Sequence, residues 1–338
     1  MNILAVESSC DETAVAVVRD GRVVLSDCIA SQVALHREYG GVVPEIASRK
    51  HIEAIYALAD EAIQKAGITR DDIDAIAVTY APGLIGAVLV GVNFAKAAAL
   101  ALNKPLIPVH HIKGHIAANY LAYPELEPPF LCLVVSGGHT MLVDVKDYTE
   151  MQILGTTTDD AAGECFDKVG RVLGMPYPGG AALDRCAQRG DEKRYTLPRS
   201  KPGENPYDMS FSGLKTATLN LIHHAQQVGE ELDTDDLCAA FTAAVSDTLI
   251  PRVAMAMDQT GYKKLAVAGG VAANSRIRGD VMALAQQKNA RIYLPPLSLC
   301  GDNASMIGAQ AYYEFCAGNI ADMSLNAYAT KSIIGEEI

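Results

Sequence analysis

No two of the eight cysteines, at positions 10, 28, 132, 165, 186, 238, 300 and 316, form a CxxC pair, and most sit inside apolar runs such as FLCLVV. They read as reduced thiols of a cytosolic protein rather than as a disulfide framework. A GxxxxGK[ST] run is missing as well, which excludes a P-loop as the nucleotide site. Positive charge is scarce: 28 Lys and Arg stand against 40 Asp and Glu, a net charge of −12. Nonspecific nucleic-acid binding over the whole surface needs clustered cations, so it is not expected. One local cluster remains, Arg185, Arg189, Lys193, Arg194, Arg199 and Lys201 against Asp191 and Glu192, and it reads as a solvated loop. The start, MNILAVESSC, carries no basic segment before its apolar run and no small-residue cleavage pattern, so no secretory signal is expected. A single stretch, residues 84 to 102, reaches membrane-spanning length, but Asn93 and Lys96 inside it favour a buried core helix.

What is present is a globular chain, 49% apolar and 20% charged. Its 338 residues exceed what one hydrophobic core usually serves, so two lobes are expected. ILAV at residues 3 to 6, the polar turn ESSCDET and AVAVV predict a β-hairpin, and GRVVLSDCIA a third strand. An amphipathic helix from about Pro44 to Ala66, strand DAIAVTYAPG, the helix over 84 to 102 and strand PLIPVHHI complete one α/β half. The plan then repeats. FLCLVVSGGHTMLVDV is strand, glycine turn and strand, TEMQILGTT is a third strand, and AAGECFDKVGRVLG a helix. KKLAVAGGVAAN, RGDVMALAQQKN, RIYLPP and CGDNASMIGAQAYYEF then supply strand, helix, strand and helix. PLIPVHHI and RIYLPP hold equivalent places in the two halves, so the residues just after each are expected to meet across a pseudo-two-fold cleft.

Those residues are His111 and His115 on one side and Asp302 on the other. A spacing of four puts both imidazoles on one helix face, and Gly114 between them leaves room for close approach. Two imidazoles and a carboxylate suit a non-haem Fe2+ site with open positions, with Zn2+ as the alternative ion. The helical zinc-peptidase motif needs a glutamate directly after its first histidine, and position 112 is Ile112, which disfavours that chemistry. His110 and His139 are left as supporting or structural residues. VVSGGHT and AVAGGVAAN each end an apolar strand in paired glycines, where backbone N–H groups can approach phosphate or ribose without a Cβ in the way. Asp11 in ESSCDET is the candidate proton acceptor, and Asp167 and Asp184 are candidate acceptors for ligand hydroxyl groups.

Together these blocks resemble one family. ESSCDETAVAVV, EYGGVVPEIASRKH, YAPGLIGAVLVG, KAAALALNKPLIPVHHIKGHI, VVSGGHT, DDAAGECFDKVGRVLG, YPGGAALD, SFSGLKTA, AGGVAANSRIR and CGDNASM stand in the order of the enzymes that transfer a threonylcarbamoyl group to tRNA adenosine, long labelled sialoglycoprotein endopeptidases. The resemblance runs over most of the chain. It implies a duplicated α/β fold, actin-like and related to sugar kinases and chaperone ATPases, with an N-terminal lobe over 1–125 and a C-terminal lobe over 126–338 that carries an insertion around 185–215. By motif, His111, His115 and Asp302 look like the ligands of one Fe2+ per subunit. Val134, Val135, Ser136, Gly137 and Gly138, with Asp167, Gly180, Asp184 and Asn274, look like the substrate-binding set. Two positions depart from the pattern: Gly301 replaces a common threonine, and Val134 stands where some archaeal relatives carry tyrosine, which leaves a metal position open to water or substrate.

The implied reaction is attack by the exocyclic amine of the tRNA adenosine beside the anticodon on threonylcarbamoyl-adenylate, with release of AMP. The implied partners are tRNA, an inactive paralogue subunit (TsaB-like) and a small ATPase subunit (TsaE-like), in the cytoplasm and without a membrane. Two other functions are compatible with the residues: a small-molecule kinase of the same fold, and a nucleotide-controlled, chaperone-like binding module.

Overall fold

The computed structural model describes residues 1–201 and 203–334. Its elements run β1 (Asn2–Glu7), β2 (Glu12–Arg19), β3 (Val23–Ser31), α1 (Val33–Glu38), α2 (Pro44–Lys65), β4 (Ala75–Ala81), α3 (Ile85–Leu102), β5 (Leu106–His110) and α4 (His111–Ala122). They continue with β6 (Phe130–Val135), β7 (Thr140–Val145), β8 (Met151–Thr156), α5 (Ala162–Val172), α6 (Gly179–Ala187), α7 (Ser212–Val228), α8 (Thr234–Thr260), β9 (Lys264–Ala268), α9 (Ser275–Gln287), β10 (Arg291–Tyr293) and α10 (Ala304–Cys316). The strands form two five-stranded sheets, ordered β3-β2-β1-β4-β5 and β10-β9-β6-β7-β8. Reversing one order gives the other, element for element, which is the duplication expected from the sequence. In both sheets the first strand pairs in parallel with the fourth, and the fourth with the fifth.

The contiguous lobes expected at 1–125 and 126–338 are not how the chain divides. One compact unit comprises Met1–Pro128, Val145–Gln152 and Pro295–Ile338, and the other comprises Pro129–Asp144 and Ile153–Leu294. The final helix, α10, therefore belongs with the first sheet. The reason lies in the two faces of that sheet. Leu4, Val6, Val15, Val17, Ile76 and Val78 line a bulky face packed with α2 and α3, including Ile55, Leu58, Val88 and Val92. The opposite face is built largely of Ala5, Ala14, Ala16, Ala75 and Ala77, and α10 lies against it through Ala304, Met306, Ile307 and Ala311. Strands buried on both faces read as continuous apolar runs, as β1 and β2 do.

Two glycines set how closely α10 sits. A Cβ on Gly308 would stand 2.6 Å from Val18 Cγ2, and one on Gly114 of α4 would stand 2.6 Å from Ile307 Cδ1. Gly114 thus does leave room, and what fills the room is α10. Helix α3 buries only one face, Ala87, Val88, Gly91, Val92, Ala95 and Ala99, while Ile85, Leu89 and Leu100 are exposed. It is therefore a half-buried helix rather than the buried core helix expected. By length and composition α3 and α8 could each cross a membrane, and the apolar window of α8 is 78% buried within the protein. Helix α8 is capped by Asp233, whose side chain accepts from the backbone N–H groups of Asp235 and Asp236.

Gly308→Ala separates packing from helix propensity. Propensity alone would stabilise the helix by about 1 kcal/mol. Overpacking against Val18 costs about 1–3 kcal/mol, so a net loss of stability in urea denaturation is expected. A variant as stable as the parent would contradict this packing.

Candidate functional site

Strand β5 ends at His110, one residue before the histidine pair, and His110 caps the helix that follows. Its Nδ1 accepts from Ile112 N (3.3 Å) and its Nε2 donates to the Lys331 carbonyl (3.0 Å). His111 opens α4 and His115 follows one turn later, so both rings share a face, with centroids 4.6 Å apart. Asp302 arrives from the segment before α10, where the Asn303 side chain accepts from Met306 N and fixes the helix start. Asp302 Oδ1 lies 3.6 Å from His111 Nε2 and 3.2 Å from His115 Nε2. All three residues belong to the first unit, so they do not meet across a cleft between halves as expected. Asp302 reaches the histidines because α10 returns to the sheet that carries them.

The three ligand atoms lie within 4.8 Å of one another, a group that can hold a metal ion. Ligands at about 2.1 Å from one ion stand about 3–3.4 Å apart along an octahedral or tetrahedral edge, close to the separations from Asp302. Neither ring nitrogen of buried His115 makes a hydrogen bond. A buried polar atom without a partner is uncommon, and an ion would supply one. Cys10, in the neighbouring turn, does not offer a thiolate: burial first, then Asp11 and Asp302, push its thiol far above the ordinary range. The donor set is nitrogen and oxygen, as the sequence suggested.

The sequence did not single out Glu7. This last residue of β1 is fully buried, and its Oε2 accepts from His111 Nδ1 (3.0 Å) and Thr79 Oγ1 (2.6 Å). Glu12, also not anticipated, holds its proton to about pH 9, through burial first and then the carboxylates of Asp11 and Asp302. Asp11 is itself buried and hydrogen-bonded to Glu12, so the proton-acceptor candidate is one half of a carboxyl pair. Burial opposes charge on His111, yet Asp302 and Glu7 override it and raise its pKa to about 9.

In the second unit, Val134 and Val135 end β6 and Ser136 follows, all three buried, while Gly137 and Gly138 are exposed. The loop is fixed by Ser136 N donating to the His139 carbonyl (2.7 Å) and His139 N donating to Ser136 Oγ (3.1 Å). A Cβ on Gly269, at φ +91°, would stand 2.5 Å from the Val135 carbonyl oxygen, so the second paired-glycine turn rests against the end of β6. Asp167 Oδ1 accepts from Gly179 N (2.8 Å) and Gly180 N (3.3 Å) at the start of α6. Asp184 Oδ1 accepts from Ser275 N (3.1 Å) and Ser275 Oγ (2.7 Å), and Asn274 caps α9 through Ile277 N (3.1 Å). These contacts tie α5, α6 and α9 around the glycine loops. The arginines of the 185–201 cluster are partly neutralised in pairs, Arg189 with Asp235, Arg194 with Asp236 and Arg199 with Asp247. The eight cysteines are all free.

The acid–base pattern gives a pH prediction for metal-free protein. His111 is raised from 6.5 to about 9 and Glu12 from 4.5 to about 9, so both bind protons more tightly folded than unfolded. Their contributions are fully present below the unfolded values and are lost as pH rises through about 9. After chelation, the thermal midpoint should fall between about pH 6.5 and 9, and less steeply in Glu12→Gln. A midpoint that rises with pH in that window would contradict the assignment.

Comparison with known proteins matches this architecture to one family. The model for TsaD, tRNA N6-adenosine threonylcarbamoyltransferase, matches residues 23–309. A protein of that name from Moorella thermoacetica is 53% identical over 326 residues, covering 96% of this chain and 95% of the relative. One from Clostridium botulinum strain 657 is 51% identical over 327 residues, 97% of this chain and 96% of the relative. Among solved structures, component A of the (R)-2-hydroxyglutaryl-CoA dehydratase of Acidaminococcus fermentans has a TM-score of 0.54 at 14% identity, covering 94% of this chain and 99% of that one. HypF of T. kodakarensis has a TM-score of 0.63 at 13% identity, covering 96% of this chain and 49% of that one. At such identities the structures establish the fold alone, the duplicated actin-like one. Family model and relatives together place the chain in the TsaD family of tRNA N6-adenosine threonylcarbamoyltransferases.

Proposed function

We propose that this protein transfers a threonylcarbamoyl group from threonylcarbamoyl-adenylate to the exocyclic amine of the tRNA adenosine beside the anticodon, with Fe2+ held by His111, His115 and Asp302. The observation that carries the metal reading is the convergence of two buried imidazoles and one carboxylate in the first unit, with both His115 nitrogens lacking hydrogen bonds. The nitrogen and oxygen donors suit Fe2+, and Zn2+ is the alternative. When bound, the ion supplies Lewis-acid polarisation of a ligand oxygen. The rest falls to the chain's own residues. Gly137 and Gly138, exposed in the turn after β6, offer backbone N–H groups suited to the adenylate phosphate or ribose. Asp167, Gly180, Asp184 and Asn274 hold α5, α6 and α9 around that loop and complete the donor site.

In the transfer, the adenosine N6 forms a bond to the carbamoyl carbonyl carbon, the bond from that carbon to the phosphate oxygen breaks, and AMP leaves. The amine proton goes to Asp11, buried beside protonated Glu12. Positioning two substrates accounts for much of such an acceleration, on the order of 7–11 kcal/mol in well-oriented systems. With a net charge of −12, the protein presents little cationic surface of its own, which favours tRNA being held jointly with a TsaB-like paralogue and a TsaE-like ATPase in the cytoplasm.

The test is purified protein with the partner subunits, threonylcarbamoyl-adenylate and unmodified tRNA, scored for modified adenosine by mass spectrometry. Product is expected, and Asp302→Ala or His115→Ala should lower its rate by about 100-fold or more, in keeping with several kcal/mol of charge stabilisation. Asp184→Ala should chiefly raise KM for the adenylate. No product in any partner combination would overturn the reading, and unimpaired phosphoryl transfer by His111→Ala would favour a small-molecule kinase.

A further inference from the structure

We infer that Glu7 is the positioning residue of the metal centre, fixing the tautomer of His111 so that its Nε2 lone pair faces the ion. The inference rests on the reading of His111, His115 and Asp302 as metal ligands. Glu7 sits wholly inside the protein, and among the described residues its one ion-pair partner is His111. Burying a carboxylate without strong partners costs several kcal/mol, so its surroundings matter. Both of its oxygens are engaged. Oε1 accepts from Ser9 N (2.5 Å), and Oε2 from Thr79 Oγ1 (2.6 Å) and His111 Nδ1 (3.0 Å). An ionised carboxylate only accepts, so the proton between Glu7 and His111 belongs to Nδ1. Nε2, on the side of Asp302 and His115, is then the nitrogen that presents its lone pair once an incoming ion displaces the second proton of the ring.

The fold supplies this arrangement from three separate elements. Parallel pairing of β1 with β4 sets Val6 beside Val78, so Glu7 and Thr79 follow one step along the same ladder. The tight turn after β1 brings Ser9 N back onto the carboxylate, and α4 contributes the imidazole. His115 has nothing comparable, since neither of its nitrogens makes a hydrogen bond. The two histidines are therefore unequal: one is aimed by a buried carboxylate at Nδ1, whereas the other has no partner at Nδ1 and faces only Asp302 at Nε2. Glu7 and Asp302 together also carry two negative charges, which one divalent cation would balance within a buried cluster. Carboxylates that orient a metal-bound imidazole in this way typically account for about 10–100-fold in metal affinity.

The experiment is titration of the full-length, metal-free protein with Co2+ at fixed pH, following the visible absorption of the bound ion, with thermal midpoints of the metal-free forms measured alongside. Glu7→Gln keeps the shape but can donate to Nδ1 and so favour the wrong tautomer. It should weaken Co2+ binding by about 10–100-fold and alter the absorption bands. Thr79→Val, which removes one of the two hydrogen bonds held by Glu7 Oε2, should give a smaller loss in the same direction. If Glu7→Gln does not fold, Thr79→Val decides: unchanged affinity and bands overturn the inference. Glu7→Gln that melts lower yet binds Co2+ with the parent's affinity and spectrum shows a merely structural carboxylate and also overturns it. His111→Ala separates the two levels. Loss of binding there alongside parent-like Glu7→Gln removes only the role of Glu7, whereas parent-like binding by His111→Ala removes the metal centre itself.

Discussion

The close packing of α10 on the small-residue face of the first sheet is the constraint on which the site depends. Ala5, Ala14, Ala16, Ala75 and Ala77 make that face shallow, Gly308 lets the helix approach Val18, and Gly114 lets Ile307 enter the α4 surface. Each is a local sacrifice of side-chain volume, and together they bring Asp302, in the segment before α10, to 3.2 Å from His115 Nε2. The three candidate metal ligands thus come from two places, the first turn of α4 and the short segment pinned at the capped start of α10, and the packing of α10 keeps them together.

The same unit holds most of the buried polar side chains among the described residues, gathered into small hydrogen-bonded groups. Glu7, Thr79 and Ser9 form one hydrogen-bonded group around His111, and Asp11 with Glu12 forms another in the adjoining turn. Elsewhere the sheet faces are mainly apolar, with Thr13 bonded to His51 and Ser26 to the Ala62 carbonyl as further buried pairs. Buried charges stand both at the proposed site and away from it, as Glu314 paired with Lys113 shows, and a low-dielectric interior requires a partner for each. In the second unit the arrangement differs in kind: Asp167, Asp184 and Asn274 take backbone N–H groups at helix starts, and exposed Gly137 and Gly138 stand at the rim.

Much of this was legible in the sequence because it is locally encoded. Apolar runs broken by the polar turn ESSCDET in the first half and by paired glycines in the second marked the hairpins and turns, and the mirrored sheet orders followed from their repetition. The four-residue spacing marked the histidine pair, and the repeat pointed to Asp302. The route to Asp302 was misread, because only the complementary packing of α10 and the alanine face shows that the chain returns to its first unit after Leu294. Glu7 stayed hidden for a similar reason. At the end of an apolar strand it looked like part of an acidic turn, and its meaning depends on Thr79 and His111, which no local pattern joins to it. Helices α7 and α8 were also missed: α8 is apolar around most of its circumference, so it lacks the one-sided stripe that betrays a surface helix.

His111, His115 and Asp302 offer one ion two imidazoles and one carboxylate. X-ray absorption at the iron edge, on protein loaded anaerobically with Fe2+, reads that ligand set directly. The account predicts nitrogen and oxygen neighbours at about 2.0–2.2 Å, with the outer-shell scattering of two imidazole rings. A sulfur neighbour at about 2.3 Å, or a spectrum with no imidazole contribution, would contradict it.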